Sequence, residues 1–403
     1  MEKLALDGGS PVFENTLGYG HQDINDADIQ AVVDALESDW LTCGPATLRF
    51  EDSIREATGA AYVTAVANGT AALHVACLAA GIGPGDEVIV SPITFAASAN
   101  CVLYCGGVPV FADIDPRSWN IDPDAIEAKV TDRTKAVIAV DFGGVPVNHA
   151  SIRDICDRNG LVFIEDAAHA IGTYAADGEP IGSVADITCF SFHPVKTVTT
   201  GEGGAVATID PELAHRVELF AKHGITRDRL QMRHPDEGDW YYEQLALGYN
   251  YRISDIEAAL GASQMSRLSE FSKRRREIVA FYDREFAAIP EVSVQLDLTP
   301  ETSTRHLYCL RFDVAALDTT RRFIYDALRA EGVGVNVHYL PVYRLPYYAD
   351  LGYNKECCPE ANRYYSEAVT IPLHCAMSDL DAKDVVRAVN KVIEACRMGR
   401  GRV

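Results

Sequence analysis

The stretch Leu161-Val162-Phe163-Ile164-Glu165-Asp166-Ala167-Ala168-His169 decides how the chain is read. Four apolar residues in succession, with no polar alternation, mark a strand covered on both faces, as in parallel sheets packed between helices. The run then ends in two carboxylates. Open parallel sheets bind ligands at the carboxyl ends of their strands, so Asp166 is a candidate site residue. A carboxylate at such a strand end is partly buried and needs a cationic partner to stay ionised. It could hold a protonated ring nitrogen, a metal or a ribose hydroxyl, and His169 could address the same ligand. The structural alternative is a salt-bridged Asp beside a satisfied core His.

The same texture recurs on both sides of this stretch. Strand-like runs fall at 62–67, 87–91, 108–113, 136–141, 161–165, 187–192 and 205–209, with helical segments at 71–80, 95–104, 124–129 and 151–159 between them. Gly81 and Gly160 stand where C-terminal caps belong. Repeated strand–helix–strand units give an α/β fold with a mostly parallel, helix-covered sheet. After Arg252 the pattern changes. Residues 254–289 read as one long helix whose Lys273–Arg276 run is a solvated face. A strand at 306–312, a helix at 319–330 and a final helix at 379–396, N-capped by Ser378, follow. The predicted organisation is a large domain over 1–253 and a smaller α+β domain over 254–403.

Composition bounds the function. The chain has 403 residues, 48% hydrophobic and 23% charged, with 36 basic against 58 acidic side chains and a net charge of −22. Such acidity repels phosphate backbones and anionic membranes, so neither nucleic acid nor a membrane surface is an expected partner. No apolar run approaches the length of a membrane span. The eleven cysteines contain no C-x-x-C pair and read as reduced thiols of a cytoplasmic protein, with no metal site. His338 and Tyr339 have no metal-ligand spacing to another His.

Two further strand ends carry chemistry. Asn68-Gly69-Thr70 lies between a strand and a helix, where a glycine and free amides cradle an anion such as a phosphate. The second is Phe190-Ser191-Phe192-His193-Pro194-Val195-Lys196, with Lys196 thirty residues after Asp166 amid apolar and hydroxyl side chains. Only nine lysines exist, and the others mostly lie in polar, helical or terminal stretches. A desolvated amine is a usable nucleophile for a carbonyl, and Ser191 offers a hydroxyl to the same phosphate. A phosphate cradle, an acid for a ring nitrogen and an amine for an aldehyde are the three attachment points of pyridoxal 5′-phosphate. Competing motifs fail: Gly81-Ile82-Gly83-Pro84-Gly85 follows a helix and precedes a strand, and no phosphate-binding G-x-x-x-x-G-K-[ST] exists.

At these residues the chain resembles the DegT/DnrJ/EryC1/StrS family of nucleotide-sugar aminotransferases. The resemblance runs through Trp40-Leu41-Thr42-Cys43-Gly44-Pro45, Asn68-Gly69-Thr70-Ala71-Ala72-Leu73, Ser91-Pro92-Ile93-Thr94-Phe95, Glu165 to His169, Phe190 to Gly204 and Leu247-Gly248-Tyr249-Asn250-Tyr251-Arg252. It implies the fold of aspartate aminotransferase. It implies that Lys196 bonds the cofactor aldehyde and shuttles a proton, and that Asp166 pairs with the ring nitrogen. His169 would contact the phenolic oxygen, a position where many members have Gln. Phe95 would stack on the ring, and Gly69, Thr70 and Ser191 would hold the phosphate. Asn250 would reach the phosphate of a neighbouring subunit, which makes the protein a homodimer with shared active sites. Arg252, His338 and Tyr339 are candidate substrate contacts.

Narrower stretches, among them Lys222-His223-Gly224-Ile225-Thr226-Arg227-Asp228 and Val337-His338-Tyr339-Leu340-Pro341, resemble the subgroup of pseudaminic acid biosynthesis. They imply a UDP-linked 4-keto-6-deoxy-N-acetyl-hexosamine as acceptor and L-glutamate as donor. Three alternatives stay open: another UDP- or dTDP-keto-sugar, a dehydratase on the same scaffold, and a non-catalytic cofactor-binding scaffold. A dianionic substrate beside so acidic a chain also calls for a basic entrance, drawn from Arg227, Arg229 or Arg252.

Overall fold

Seven short strands make the central sheet of the computed structural model, which describes residues 2–401; positions 1, 402 and 403 of the expected domains lie outside the described residues. In chain order they are β1 (Tyr62–Val66), β2 (Glu87–Val90), β3 (Val108–Phe111), β4 (Thr134–Val140), β5 (Val162–Asp166), β6 (Ile187–Ser191) and β7 (Gly204–Thr208). Their spatial order is β1-β7-β6-β5-β4-β2-β3, and β7 alone runs antiparallel to its neighbours. All seven were read from the sequence to within two residues. The apolar runs made this possible: β2, β6 and β7 are buried along all or nearly all of their length, so both faces select Val, Ile and Ala.

Helices flank this sheet: α1 (Asp26–Glu37), α2 (Pro45–Thr58), α3 (Gly69–Ala79), α4 (Ala97–Tyr104), α5 (Pro123–Glu127), α6 (His149–Asn159) and α7 (Pro211–Ala221). Gly160 closes α6 in the left-handed conformation, as its position implied. A two-stranded ribbon, β8 (Ile225–Thr226) with β9 (Glu243–Gln244), precedes α8 (Asp255–Met265) and α9 (Leu268–Phe286).

The expected single helix over 254–289 is therefore two. The break falls at Arg267, whose guanidinium binds Asp23 and Asp28, Asp28 lying on α1. The reading of Lys273–Arg276 as a solvated face is also corrected. Arg275 is buried and donates to the carbonyls of His306 at 3.3 Å and Leu373 at 3.0 Å. It lies four residues after Phe271 and sits on the stripe with Val279, Tyr282 and Phe286 that faces the core. Counting consecutive charges obscured that period.

The remaining chain forms an antiparallel sheet of β10 (Val292–Val294), β11 (Tyr308–Phe312) and β12 (Ala368–Ile371). With it come α10 (Arg321–Ala330), α11 (Pro346–Asp350), α12 (Pro359–Glu367) and α13 (Asp379–Arg397). Ser378 caps α13 in a capping box with Asp381. Leu4 joins the core of this sheet, and Leu17 pairs with Val333. The start of the chain thus packs on its C-terminal part.

Gly261, in the middle of α8, lets α2 approach closely. A Cβ there would stand 2.6 Å from the Phe50 ring and 2.7 Å from Thr200 Cγ2. Gly261→Val is expected to cost about 1–3 kcal/mol through overpacking. A lowered thermal midpoint by circular dichroism checks this, and an unchanged midpoint contradicts it.

Candidate active site

Strand ends of β1, β5 and β6 open into one cavity of about 990 Å³. Gly69, Thr70, Phe95, Asp166, His169, Ser191, Lys196, His338 and Tyr339 all line it. Gly69, Asp166 and Lys196, far apart in sequence, meet there because parallel strands deliver their ends to one edge.

Asp166 is buried at the end of β5. Its Oδ2 accepts from the Ser98 hydroxyl at 2.6 Å and its Oδ1 from the Ala168 amide at 3.2 Å. Burial raises its pKa, while these two bonds and the Lys196 charge oppose the rise. The adjacent Glu165 points to the opposite face of the strand, as the alternation of a β-strand requires. There it bonds His149 and accepts from the Thr188 hydroxyl at 3.0 Å. Asp141 completes this buried group, and its carboxyl is raised by burial and then by Glu165.

Lys196 sits in a tight loop after β6. The loop is closed by Lys196 N–H to His193 O at 2.9 Å and Thr200 N–H to Phe192 O at 3.0 Å. Burial lowers the amine to about 8, with Asp166 pulling the other way. The cavity thus holds an amine and a carboxyl whose charged forms burial disfavours.

The His169 geometry settles its tautomer. Its Nδ1 accepts from the Gly143 amide at 3.3 Å, so the proton of the neutral ring lies on Nε2. Burial, then Lys196 and His338, hold the ring neutral by lowering its pKa well below the usual value. Nε2 lies 3.5 Å from the Tyr339 hydroxyl. His169 therefore presents an N–H to the cavity, the role a Gln amide can fill.

The cradle is equally specific. Asn68 caps α3 by accepting from the Ala71 amide at 2.8 Å. A Cβ on Gly69 would stand 2.8 Å from Ser191 Cβ, so only glycine brings this helix start against the end of β6. An eleven-residue helix directs its N-terminal dipole at that spot. Helix amides with a serine for phosphate, a buried acid and a half-buried amine fit pyridoxal 5′-phosphate.

On the far wall His338 donates or accepts through Nδ1 with Thr370 Oγ1 at 2.8 Å, and burial lowers it to about 3. Asn250 and Arg252 do not line this cavity; Asn250 Oδ1 accepts from Arg252 Nε at 3.1 Å on the exposed surface. Arg229 pairs with Asp239, and Arg227 lies over the Tyr242 ring. None of these three arginines forms the expected basic entrance to the cavity of its own chain. Sequence reasoning missed Ser98, Tyr19, His193, Glu202 and Asn336, all in the lining. Ser98 left no signal, being a single hydroxyl in the first turn of α4.

The comparisons agree with this geometry. The family model for the DegT/DnrJ/EryC1/StrS aminotransferase family matches residues 22–390. The spore coat polysaccharide biosynthesis protein SpsC of Bacillus subtilis is 41% identical over 380 residues, covering 94% of this chain and 97% of that protein. The UDP-4-amino-4,6-dideoxy-N-acetyl-beta-L-altrosamine transaminase of Campylobacter jejuni is 35% identical over 384 residues, covering 94% and 98%. Among solved structures, Spr1654 of Streptococcus pneumoniae, described as a sugar aminotransferase and solved in its PMP form, superposes with a TM-score of 0.87. It is 31% identical and covers 95% of this chain and 99% of its own. With the cradle, the acid and the amine in one cavity, the chain belongs to the DegT/DnrJ/EryC1/StrS aminotransferase family and is a sugar aminotransferase that uses pyridoxal 5′-phosphate.

Proposed function

We propose that the enzyme moves an amino group from L-glutamate to C4 of a UDP-linked 4-keto-6-deoxy-N-acetyl-hexosamine, the amination step of a pseudaminic-acid-type route. The observation that carries amino transfer is Lys196 facing the same cavity as Asp166. The acceptor reading is supported by similarity to the Campylobacter jejuni transaminase over nearly the whole of both chains.

The bound cofactor supplies an aldehyde that captures amines and a ring that accepts the electron pair released at the donor Cα. Asp166 holds a proton on the ring nitrogen, and Ser98 and the Ala168 amide fix its carboxylate for that task. Lys196 Nζ would bind the cofactor's aldehyde and, when free, would carry a proton to or from the donor Cα. His169 donates Nε2–H to the phenolic oxygen. Gly69, Thr70 and Ser191 take the phosphate, and Phe95, exposed into the cavity, offers its face to the ring. His338 and Tyr339 close the substrate side.

Asn250 serves the phosphate of a second copy, with Arg252 beside it, so the working unit is a homodimer. Their place outside their own cavity supports this. A cytoplasmic setting accords with nucleotide-sugar substrates; among the described residues no helix is long and apolar enough to cross a membrane. The similarity to SpsC favours one alternative, a different nucleotide-linked keto-sugar as acceptor.

A panel of UDP- and dTDP-keto-sugars with glutamate tests the reading. Aminated UDP product, with stoichiometric 2-oxoglutarate, is expected by mass spectrometry. Turnover of dTDP substrates alone would replace the acceptor. Keto-sugar consumption without 2-oxoglutarate would point to a dehydratase.

Lys196 also sets a pH dependence. An amine whose folded-state pKa lies below its ordinary value is neutral above that pKa and an ammonium below it. The rate of pyridoxal phosphate capture by apoenzyme should therefore rise with pH around a midpoint near 8. A midpoint near 10 contradicts the burial argument. Lys196→Ala should lose the borohydride-fixed label and lower kcat by about 10²–10⁴-fold. Ser98→Ala removes a hydrogen bond to a charged group, and the cofactor Kd, read by fluorescence titration, should rise about tenfold or more.

A further inference from the structure

Behind the Ser98–Asp166 pair stands a second hydroxyl. Thr94 lies in the loop between β2 and α4, is buried, and lines the cavity next to Phe95. Its Oγ1 is 2.6 Å from Ser98 Oγ, as close as Ser98 Oγ is to Asp166 Oδ2. The loop that carries it is anchored on both sides. Ile93 is wholly buried in the core of the large sheet, and the Pro92 carbonyl accepts from the Val342 amide at 3.0 Å. On the helix side the Ser98 amide donates to the Phe95 carbonyl at 3.2 Å.

A count of protons fixes the direction of this chain. A serine hydroxyl has one proton to give and two lone pairs with which to receive. Ser98 Oγ has two acceptors in reach, Asp166 Oδ2 at 2.6 Å and the Phe95 carbonyl at 3.3 Å. An ionised Asp166 has no proton to give, so the short contact is a hydrogen bond only if Ser98 donates. The contact between Thr94 and Ser98 is then a bond only if Thr94 donates in turn. The order runs from Thr94 to Ser98 to Asp166, and each donor is polarised by the one behind it. With a protonated carboxyl the order reverses: Asp166 donates to Ser98, and Ser98 to Thr94 or to the Phe95 carbonyl.

We propose that Thr94 is a positioning residue for the acid: by donating to Ser98 Oγ it commits the Ser98 proton to Asp166 and favours the carboxylate that a cationic ring nitrogen needs. The inference deepens the reading in which Asp166 faces the ring nitrogen of pyridoxal 5′-phosphate, and rests on it. Burial by itself favours the protonated acid, and the chain of donors works against that. Thr94 does this without touching a reacting atom; it acts through Ser98. Without its hydroxyl, Ser98 Oγ loses the donor behind it, and its hold on the carboxylate weakens.

The test is a double-mutant cycle on apoenzyme titrated with pyridoxal 5′-phosphate and read by fluorescence, with the ring nitrogen followed by NMR of ¹⁵N-labelled cofactor. Thr94→Val nearly keeps the shape of the side chain and removes the donor. It should raise the cofactor Kd about three- to tenfold and move the ring-nitrogen resonance toward that of the neutral ring. Thr94→Ser, which keeps the hydroxyl, should return both to wild-type values. In the Ser98→Ala background Thr94→Val should raise Kd no further, because the path through which it acts is gone. Thr94→Ala carries the same expectations and replaces the valine variant if circular dichroism shows that variant unfolded. An additive loss in the Ser98→Ala background overturns the proposal, since Thr94 would then act on the cofactor directly. A wild-type Kd in Thr94→Val, with Asp166→Ala raising Kd and shifting the resonance, overturns it alone. If Asp166→Ala changes neither, the assignment of Asp166 to the ring nitrogen falls, and the proposal falls with it.

Discussion

The hydrogen bond from Ser98 to Asp166 is the contact on which the site depends. A carboxylate buried at a strand end is costly unless its oxygens are satisfied. Ser98 on α4 and the Ala168 amide at the strand's own exit satisfy both oxygens at 2.6 and 3.2 Å. The remaining capacity of the group faces the cavity, where Lys196 is, among the described residues, the only lysine or arginine in the lining. Burial pushes the acid up and the amine down. Burial thus disfavours the charged form of each, a cost that a ligand with a cationic ring nitrogen and an aldehyde relieves. The strand alternation that sends Asp166 into the cavity sends Glu165 behind it, where His149 takes its charge. Two adjacent carboxylates thus do different jobs because the side-chain period of a strand is two.

Much of this was legible in the sequence, for a definite reason. The strands of the central sheet are covered on both faces, so their apolar runs are nearly unbroken, and the groups that break them sit at ligand-facing ends. Asp166, Lys196 and Gly69 could be read in that way, as interruptions of a pattern. Ser98 could not, because a single hydroxyl on a helix has no pattern to interrupt. The break between α8 and α9 was hidden as well. It follows from Arg267 reaching Asp23 and Asp28, more than 230 residues away in sequence. The burial of Arg275 follows from carbonyls of His306 and Leu373, the second nearly a hundred residues away in sequence. Local sequence carries periodicity; it does not carry the partner.

The net charge of −22 does not reach the cavity evenly. Glu202 and Asp166 are the acids in its lining, against Lys196 and three histidines, and the arginines expected near its mouth lie on the exposed surface. His169 and His338 are held neutral by burial and by the Lys196 charge. The single-chain cavity is therefore nearly balanced, and attraction for an anionic group must come from dipoles and hydrogen bonds, chiefly those at the start of α3. This is a short-range means of binding, which a salt-rich or acidic surrounding screens far less than a long-range field.

The cavity is built from two sheets with unequal duties. The cofactor side rests on β1, β5 and β6 of the large sheet. The opposite wall, Asn336, Val337, His338 and Tyr339, is pinned to β12 of the small one through the Asn336–Thr370 bridge and the His338–Thr370 hydrogen bond. A substitution on the small sheet can reshape this wall without moving Lys196 or Asp166, because neither hydrogen-bonds to it. The two walls are thus separable by construction. For the same reason the cofactor side of this chain reads clearly from its residues, while the opposite wall joins an amide, an aliphatic side chain, an imidazole and a phenol with no common pattern.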